Sequence, residues 1–203
     1  MSAAPRVLVA HATAAGSTAG IAGRIAAVLG GAGCAVSCAP VQSGPDPAGF
    51  DAVVVGSAVH DMAWLPPAVR FLGRVAAADR PVWCFSVGGL ARPDRGRVSR
   101  YLARSELRRV EQAFPAGLAL RDHRLFGGVV SVSGGPLWAR LFWRLTGSGP
   151  GDHRDWPAVE AWAREVAAAV RADPGRRRPE SHGPGGRDLG HSRAAGRPPD
   201  ARR

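Results

Sequence analysis

Short apolar runs alternate along this chain with longer stretches in which apolar residues recur every three or four positions. The runs Arg6–Ala10, Ala35–Ala39, Ala52–Ser57, Val82–Val87 and Leu125–Val132 have the length of strands. Between the first two, Thr18–Leu29 places Ile21, Ile25, Val28 and Leu29 on one helical face. Helices are also predicted for Pro66–Ala78, for about Val98–Ala113, and for a closing segment from near Trp156. In that last segment Val159, Ala163, Val166 and Val170 recur at helical spacing, with Asp155 as the cap and Pro157 in the first turn. Strand–helix alternation predicts right-handed crossovers and an α/β domain whose mainly parallel sheet is covered on both faces. In such sheets ligands bind beyond the carboxyl ends of the strands, where the strand order reverses. The loops after the first, third and fourth predicted strands are therefore where chemistry is sought.

The first of these loops runs His11-Ala12-Thr13-Ala14-Ala15-Gly16-Ser17-Thr18 straight into a helix. A helix N-terminus offers unpaired N–H groups and the positive end of the dipole. Thr13, Ser17 and Thr18 add hydroxyls, and Gly16 lets the backbone approach closely. The loop has neither the Gly-Lys-Ser/Thr of a P-loop nor the G-x-G-x-x-G of a dinucleotide site. It suits the terminal phosphate of a mononucleotide, although a Ser/Thr cap at an ordinary turn reads the same way.

Four segments in order resemble a known family. Thr13-x-x-Gly16-x-Thr18 looks like the FMN-phosphate loop of flavodoxins. Gly56-Ser57-Ala58-Val59-His60-Asp61-Met62-Ala63-Trp64-Leu65-Pro66 resembles the flavin loop of the branch containing the menaquinone-dependent protoporphyrinogen oxidases. Phe85-Ser86-Val87-Gly88-Gly89-Leu90 and Gly151-Asp152-His153-Arg154-Asp155-Trp156 resemble that branch's third loop and closing signature. The resemblance covers roughly residues 6–171.

It implies a flavodoxin-like, doubly wound, five-stranded parallel sheet in the order 2-1-3-4-5, with FMN as cofactor. Thr13, Ala14, Ala15, Gly16, Ser17 and Thr18 would hold the phosphate. Ser57, Ala58, Val59 and His60 would line the ring, and Trp64 would stack on it. Ser86, Val87, Gly88 and Gly89 would reach its pyrimidine end. His60 is the candidate proton shuttle, and Arg92, Arg95, Arg97 and Arg100 are candidates for binding porphyrin propionates. Each assignment has a plain alternative. Trp64 reads also as a buried anchor before Pro66-Pro67, Ser86–Gly89 as a turn after a buried strand, His60 as an exposed loop residue, and the arginines as a solvated helix face. His60 stands where the branch more often has an aromatic hydroxyl, and Met62 where it often has Gly.

Charge alters the picture of partners. The chain carries a formal charge of +11, and all its basic residues other than histidine are arginine. Residues 172–203 hold eight of them against Asp173, Glu180, Asp188 and Asp200, so the body is basic without its tail. A basic body favours anionic partners. The tail, rich in Arg, Pro and Gly, cannot bury enough apolar surface to order and is expected to be a solvated extension rather than a nucleic-acid arm. The segment 136–147 carries Trp138, Phe142 and Trp143 beside Arg140 and Arg144, a pattern suited to a helix lying in a membrane interface or packed on the sheet. No run is long enough to span a bilayer, and the start lacks a secretory leader, so a cytoplasmic protein, peripheral at most, is expected. Three cysteines without a partner cluster suggest no metal site.

The functional expectation is an FMN-dependent oxidoreductase resembling protoporphyrinogen oxidase, passing electrons to a quinone. The alternatives are a flavodoxin-like carrier or quinone reductase without porphyrin specificity, and a non-catalytic binding module.

Overall fold

The computed structural model describes residues 3–88, 96–130 and 151–172, with the side chains of residues 96–103 and 130 excepted. The chain runs β1 (Arg6–Ala12), α1 (Ser17–Gly31), β2 (Ala35–Pro40), β3 (Ala52–His60), β4 (Ala63–Trp64), α2 (Pro66–Ala77) and β5 (Val82–Gly88). It continues through α3 (Gly96–Glu111), β6 (Leu120–Gly127), β7 (Val129–Val130), β8 (Gly151–Asp152) and α4 (Trp156–Ala172). Strands β2-β1-β3-β5-β6 lie side by side and pair in parallel, while the short β4 folds back antiparallel on β3. With that hairpin strand set aside, this is the expected 2-1-3-4-5 order of a doubly wound flavodoxin-like fold. The strand order reverses between β1 and β3.

Both faces of the sheet are covered, so its central strands are apolar throughout rather than alternating. Val7 and Val9 of β1 face the layer made by Ile21, Ile25 and Leu29 of α1 and Val159 and Val166 of α4. Leu8 and Ala10, one residue out of step, face Phe71, Leu72 and Val75 of α2 and Val110 of α3. Burying each of the Val, Leu, Ile and Phe side chains stabilises the fold by about 1.5–3 kcal/mol. At one place the sheet itself makes room. The Phe85 ring crosses β3 at Gly56, where a Cβ would lie 1.9 Å from the ring.

Helix boundaries fall within two residues of those expected, and Asp155 caps α4 by accepting a hydrogen bond from the Ala158 N–H at 3.0 Å. The last strand differs. It starts at Leu120, not Leu125, and ends at Gly127, while Val129–Val130 forms a separate antiparallel ribbon with Gly151–Asp152. As the sheet's edge, β6 buries only His123 and Phe126 fully, so Arg121, Asp122 and Arg124 can occupy its outer positions and hide it from an apolar pattern. Among the described residues no helix is long and apolar enough to cross a membrane, and no cluster of His, Cys, Asp and Glu could hold a metal ion. Both the tail from residue 173 and the aromatic segment 136–147 lie outside the described residues.

Candidate functional site

At the switch point, β1 runs through Ala12 into a tight loop and then α1. The Thr13 Oγ1 accepts a hydrogen bond from the Gly16 N–H at 2.8 Å, closing the loop on itself. Gly16 lies in the left-handed region with φ 89°, which glycine adopts without steric cost. It gives α1 no side-chain cap, and the first turn holds no acidic residue, so the helix N-terminus is left open to an anion. Thr18 is fully buried, yet its Oγ1 has no hydrogen-bond partner, and neither has the buried His11 Nδ1 near the end of β1. An orphaned buried hydroxyl costs about 1–3 kcal/mol. Burial also lowers the pKa of His11, favouring the neutral ring.

Two other loop ends close on the same edge. The Gly128 N–H donates to the Gly88 carbonyl at 3.2 Å, and the His153 N–H donates to the Gly128 carbonyl at 3.1 Å. A Cβ on Gly128 would lie 2.9 Å from Val87 Cγ1 and 3.5 Å from Ser17 Oγ, and one on Gly127 would lie 2.2 Å from the His153 carbonyl oxygen. Only glycine lets the ends of β5 and β6 come this near to the start of α1. Arg154 follows. Its guanidinium donates to both oxygens of Asp152, stacks 4.6 Å from the Trp156 ring centroid, and lies against Gly20 of α1. Those hydrogen bonds from Arg154 hold the Asp152 carboxyl down at about 2. The loop that lacks a cation of its own thus has one nearby, from the segment that leads into α4.

The β3–β4 hairpin stands beside this cradle. Its turn is Asp61-Met62, both left-handed at φ 50° and 61°, the geometry of a two-residue turn that usually recruits Asn-Gly. Met at the second position takes this conformation at a cost of roughly 1–2 kcal/mol. His60 is exposed next to Asp61, with Nε2 3.6 Å from its carboxylate. Ala58 and Val59 are half-buried, and Ser57 is fully buried. The Ser57 hydroxyl donates to the Ala58 carbonyl at 2.9 Å and accepts from the Leu65 N–H at 3.1 Å, tying the hairpin to the start of α2.

Trp64 requires a correction. It is 3% exposed, with its ring packed 4.8 Å from Phe114 and 5.7 Å from His123 between centroids. Its indole N–H donates to Ser86 Oγ at 2.8 Å. A tryptophan whose rings find an apolar bed and whose N–H finds a buried acceptor gains more inside than at the surface. It braces the hairpin from behind and offers no free face for stacking.

Of the third loop, Ser86 and Val87 are buried and Gly88 sits against Glu106, whose Oε1 would be 3.0 Å from a Cβ there. Burial raises the pKa of the Glu106 carboxyl. Gly89, Arg92 and Arg95 lie outside the described residues, and Arg97 and Arg100 belong to the first turns of α3. Three side chains absent from the expectations stand here as well: Glu106, Glu111 and His123. The glutamates are hidden in an arginine-rich helix, and the histidine in the charged edge strand.

A parallel sheet that reverses between β1 and β3, with an open, hydroxyl-lined helix N-terminus at the reversal, defines a doubly wound domain built to hold a mononucleotide phosphate. The chain belongs to the flavodoxin domain family, whose model matches residues 8–153. No curated protein sequence matches it. Among solved structures it is similar to a flavodoxin from the domain Archaea, at 14% identity and a TM-score of 0.50, over 82% of this chain and 99% of that one. It is also similar to a short-chain flavodoxin associated with a bacterial microcompartment, at 15% identity and a TM-score of 0.53, over 82% and 99%. The flavodiiron core Flv1 of Synechocystis is similar at 16% identity and a TM-score of 0.51, over 84% of this chain and 37% of that one. FMN is the cofactor of a flavodoxin domain, and the residues present fit it: the unpartnered Thr18 hydroxyl, the uncapped α1 and the turn at Gly16 leave donors that a phosphate could satisfy.

Proposed function

We propose that this chain is an FMN-dependent electron-transfer domain that exchanges electrons with a separate redox partner. The observation that carries the reading is Thr18, a buried hydroxyl with no protein partner at the open N-terminus of α1. When bound, FMN supplies one- and two-electron chemistry. The protein's part is to bind, orient and shield. The first-turn N–H groups of α1 and the Thr18 hydroxyl hold the phosphate, and the Arg154 guanidinium offsets its charge. The β3–β4 hairpin from Ala58 to Met62 and the end of β5 at Val87 and Gly88 flank the ring, and His60 at the exposed hairpin is placed to exchange protons with solvent.

A second reading keeps an enzyme on the same site, oxidising a porphyrinogen and passing the electrons to a quinone. It is favoured by Arg97 and Arg100, which sit where α3 begins after the β5 loop and could pair with propionates. In that reading the aromatic segment 136–147 would bring the site to the membrane, where quinones are found.

One experiment separates the readings. The purified chain is examined for flavin absorbance with and without added FMN, then mixed with protoporphyrinogen IX without oxygen, and finally offered a menaquinone analogue. Uptake of FMN with no bleaching by the porphyrinogen supports the electron-transfer domain. Bleaching, followed by reoxidation by the quinone, selects the enzyme. A chain that takes up no FMN overturns both.

A further inference from the structure

Beneath the hairpin a single hydrogen-bonded chain crosses four elements. The Trp64 Nε1–H donates to Ser86 Oγ at 2.8 Å, Ser86 Oγ lies 2.9 Å from His123 Nε2, and His123 Nδ1 lies 2.9 Å from Glu111 Oε1. The order Ser–His–Glu has the outline of a hydrolytic triad, but Ser86 is fully buried and its oxygen already accepts from an indole. No substrate can reach it. The chain therefore serves position, not nucleophilic attack.

The protons can be placed in one consistent way. With Glu111 ionised, the neutral ring donates from Nδ1 to the carboxylate. Nε2 is then an acceptor, the Ser86 hydroxyl donates to it, and the same oxygen accepts from Trp64. Every donor has an acceptor. When the ring gains a proton, Nε2 becomes a donor, and the Ser86 hydroxyl must turn away in a place no water reaches. Ser86 and Trp64 are the inner supports of the two segments that flank the flavin: Ser86 precedes Val87 and Gly88 at the end of β5, and Trp64 closes the β3–β4 hairpin.

We propose that His123 is a proton-sensing positioning residue of the flavin site, holding both flanking segments through Ser86 and Trp64 while neutral and loosening them when protonated. This rests on the flavodoxin reading above. The groups that set its titration face it from each neighbouring element. Glu111 comes from α3, and Asp122, itself tied to Arg124 and Trp162, from β6; both favour the charged ring. Trp64, Phe114, Ser86 and the buried Cys84 contribute no charge. Burial outweighs the carboxylates and lowers the pKa of His123 below its ordinary value.

The test uses the full chain, first without flavin. Between about pH 4.5 and 8 the part of the emission due to Trp64, defined by difference from Trp64→Phe, falls in one step as the neighbouring imidazole protonates. The wild-type His123 ring, followed by proton NMR, titrates with the same midpoint. In His123→Gln, whose amide can still bond Ser86 but cannot titrate, the step is gone; in Glu111→Gln it moves to lower pH. FMN affinity in the wild type then weakens about tenfold across that step, and His123→Gln loses this dependence. Absence of a His123-dependent step in the flavin-free chain overturns the proposal, as does a step across which wild type and His123→Gln bind FMN alike. A chain that shows the step yet binds no FMN at any pH overturns the function instead.

Discussion

Thr18 is the residue on which the proposed site turns. With its hydroxyl fully buried and unpartnered, the flavin-free protein carries a cost that a bound phosphate would remove. Thr18→Val keeps the shape and deletes the hydroxyl. It should weaken FMN binding at least tenfold, because a hydrogen bond to a charged group contributes about 1.5–3 kcal/mol and tenfold corresponds to about 1.4. The same change should leave the flavin-free protein as stable or more stable. A flavin-fluorescence titration beside a thermal melt checks both, and unchanged affinity would remove Thr18 from the site. Thr13 differs, since its oxygen holds the Gly16 N–H and its loss would act through the loop's shape. A second expectation follows from His11 and His123. Burial lowers the pKa of both His11 and His123, so the folded state binds fewer protons than the unfolded state just below the unfolded value of about 6.5. Their contribution to stability is complete above that value and is lost as the pH falls through it toward the folded pKa values. Urea midpoints should therefore decline with acidification, and His123→Gln should shallow the decline. The proposed phosphate loop could be nominated from sequence because its residues are consecutive. The Trp64–Ser86–His123–Glu111 chain was not, because spacing along the chain says nothing about four side chains drawn from β4, β5, β6 and α3. For Trp64 both readings were visible, and only its surroundings decide for the buried one.

Among the elements, β3 and β5 interlock most tightly where Gly56 admits the Phe85 ring. That ring also packs against Phe126 and Trp162 at 6.3 and 6.2 Å between centroids, so it has nowhere to retreat. Gly56→Ala should cost about 1–3 kcal/mol or more, and adding Phe85→Leu should recover part of it, a non-additivity that a double-mutant cycle would measure. Simple additivity would mean that the two do not interlock. Most elements could be read from periodicity because helices and buried strands carry their signature internally. The edge strand β6 could not: with Arg121, Asp122 and Arg124 on it, its pattern is set by what lies beside it. The hairpin strand β4 was missed because two residues carry no period, and its turn uses Asp61-Met62 rather than a glycine pair.

Over the whole molecule, strand–helix alternation alone gave a parallel sheet covered on both faces, while its doubly wound strand order was legible only through the family resemblance. Charge is the other global property. Up to residue 171 the sequence holds 19 arginines against 12 acidic residues, so a redox partner that docks by electrostatics should be acidic. Electron exchange with such a partner should slow as ionic strength rises, most steeply as the screening length falls below about 10 Å. Stopped-flow rates at increasing salt would show it, and salt-independent rates would point to an apolar contact instead. The β7–β8 ribbon has a consequence of a different kind. Because Val129 pairs with Asp152 and Val130 with Gly151, residues 130 and 151 stand side by side at a neck closed by the ribbon's own hydrogen bonds. Residues 131–150 should therefore be replaceable as a cassette. Replacing residues 131–150 by a two-residue Asn-Gly turn should leave the fold and FMN uptake intact, since a closed neck makes the length of the excursion nearly free of entropic cost. Liposome binding by the intact chain and not by the trimmed one would assign membrane contact to the cassette. Failure of the trimmed chain to fold would show that the excursion is part of the core.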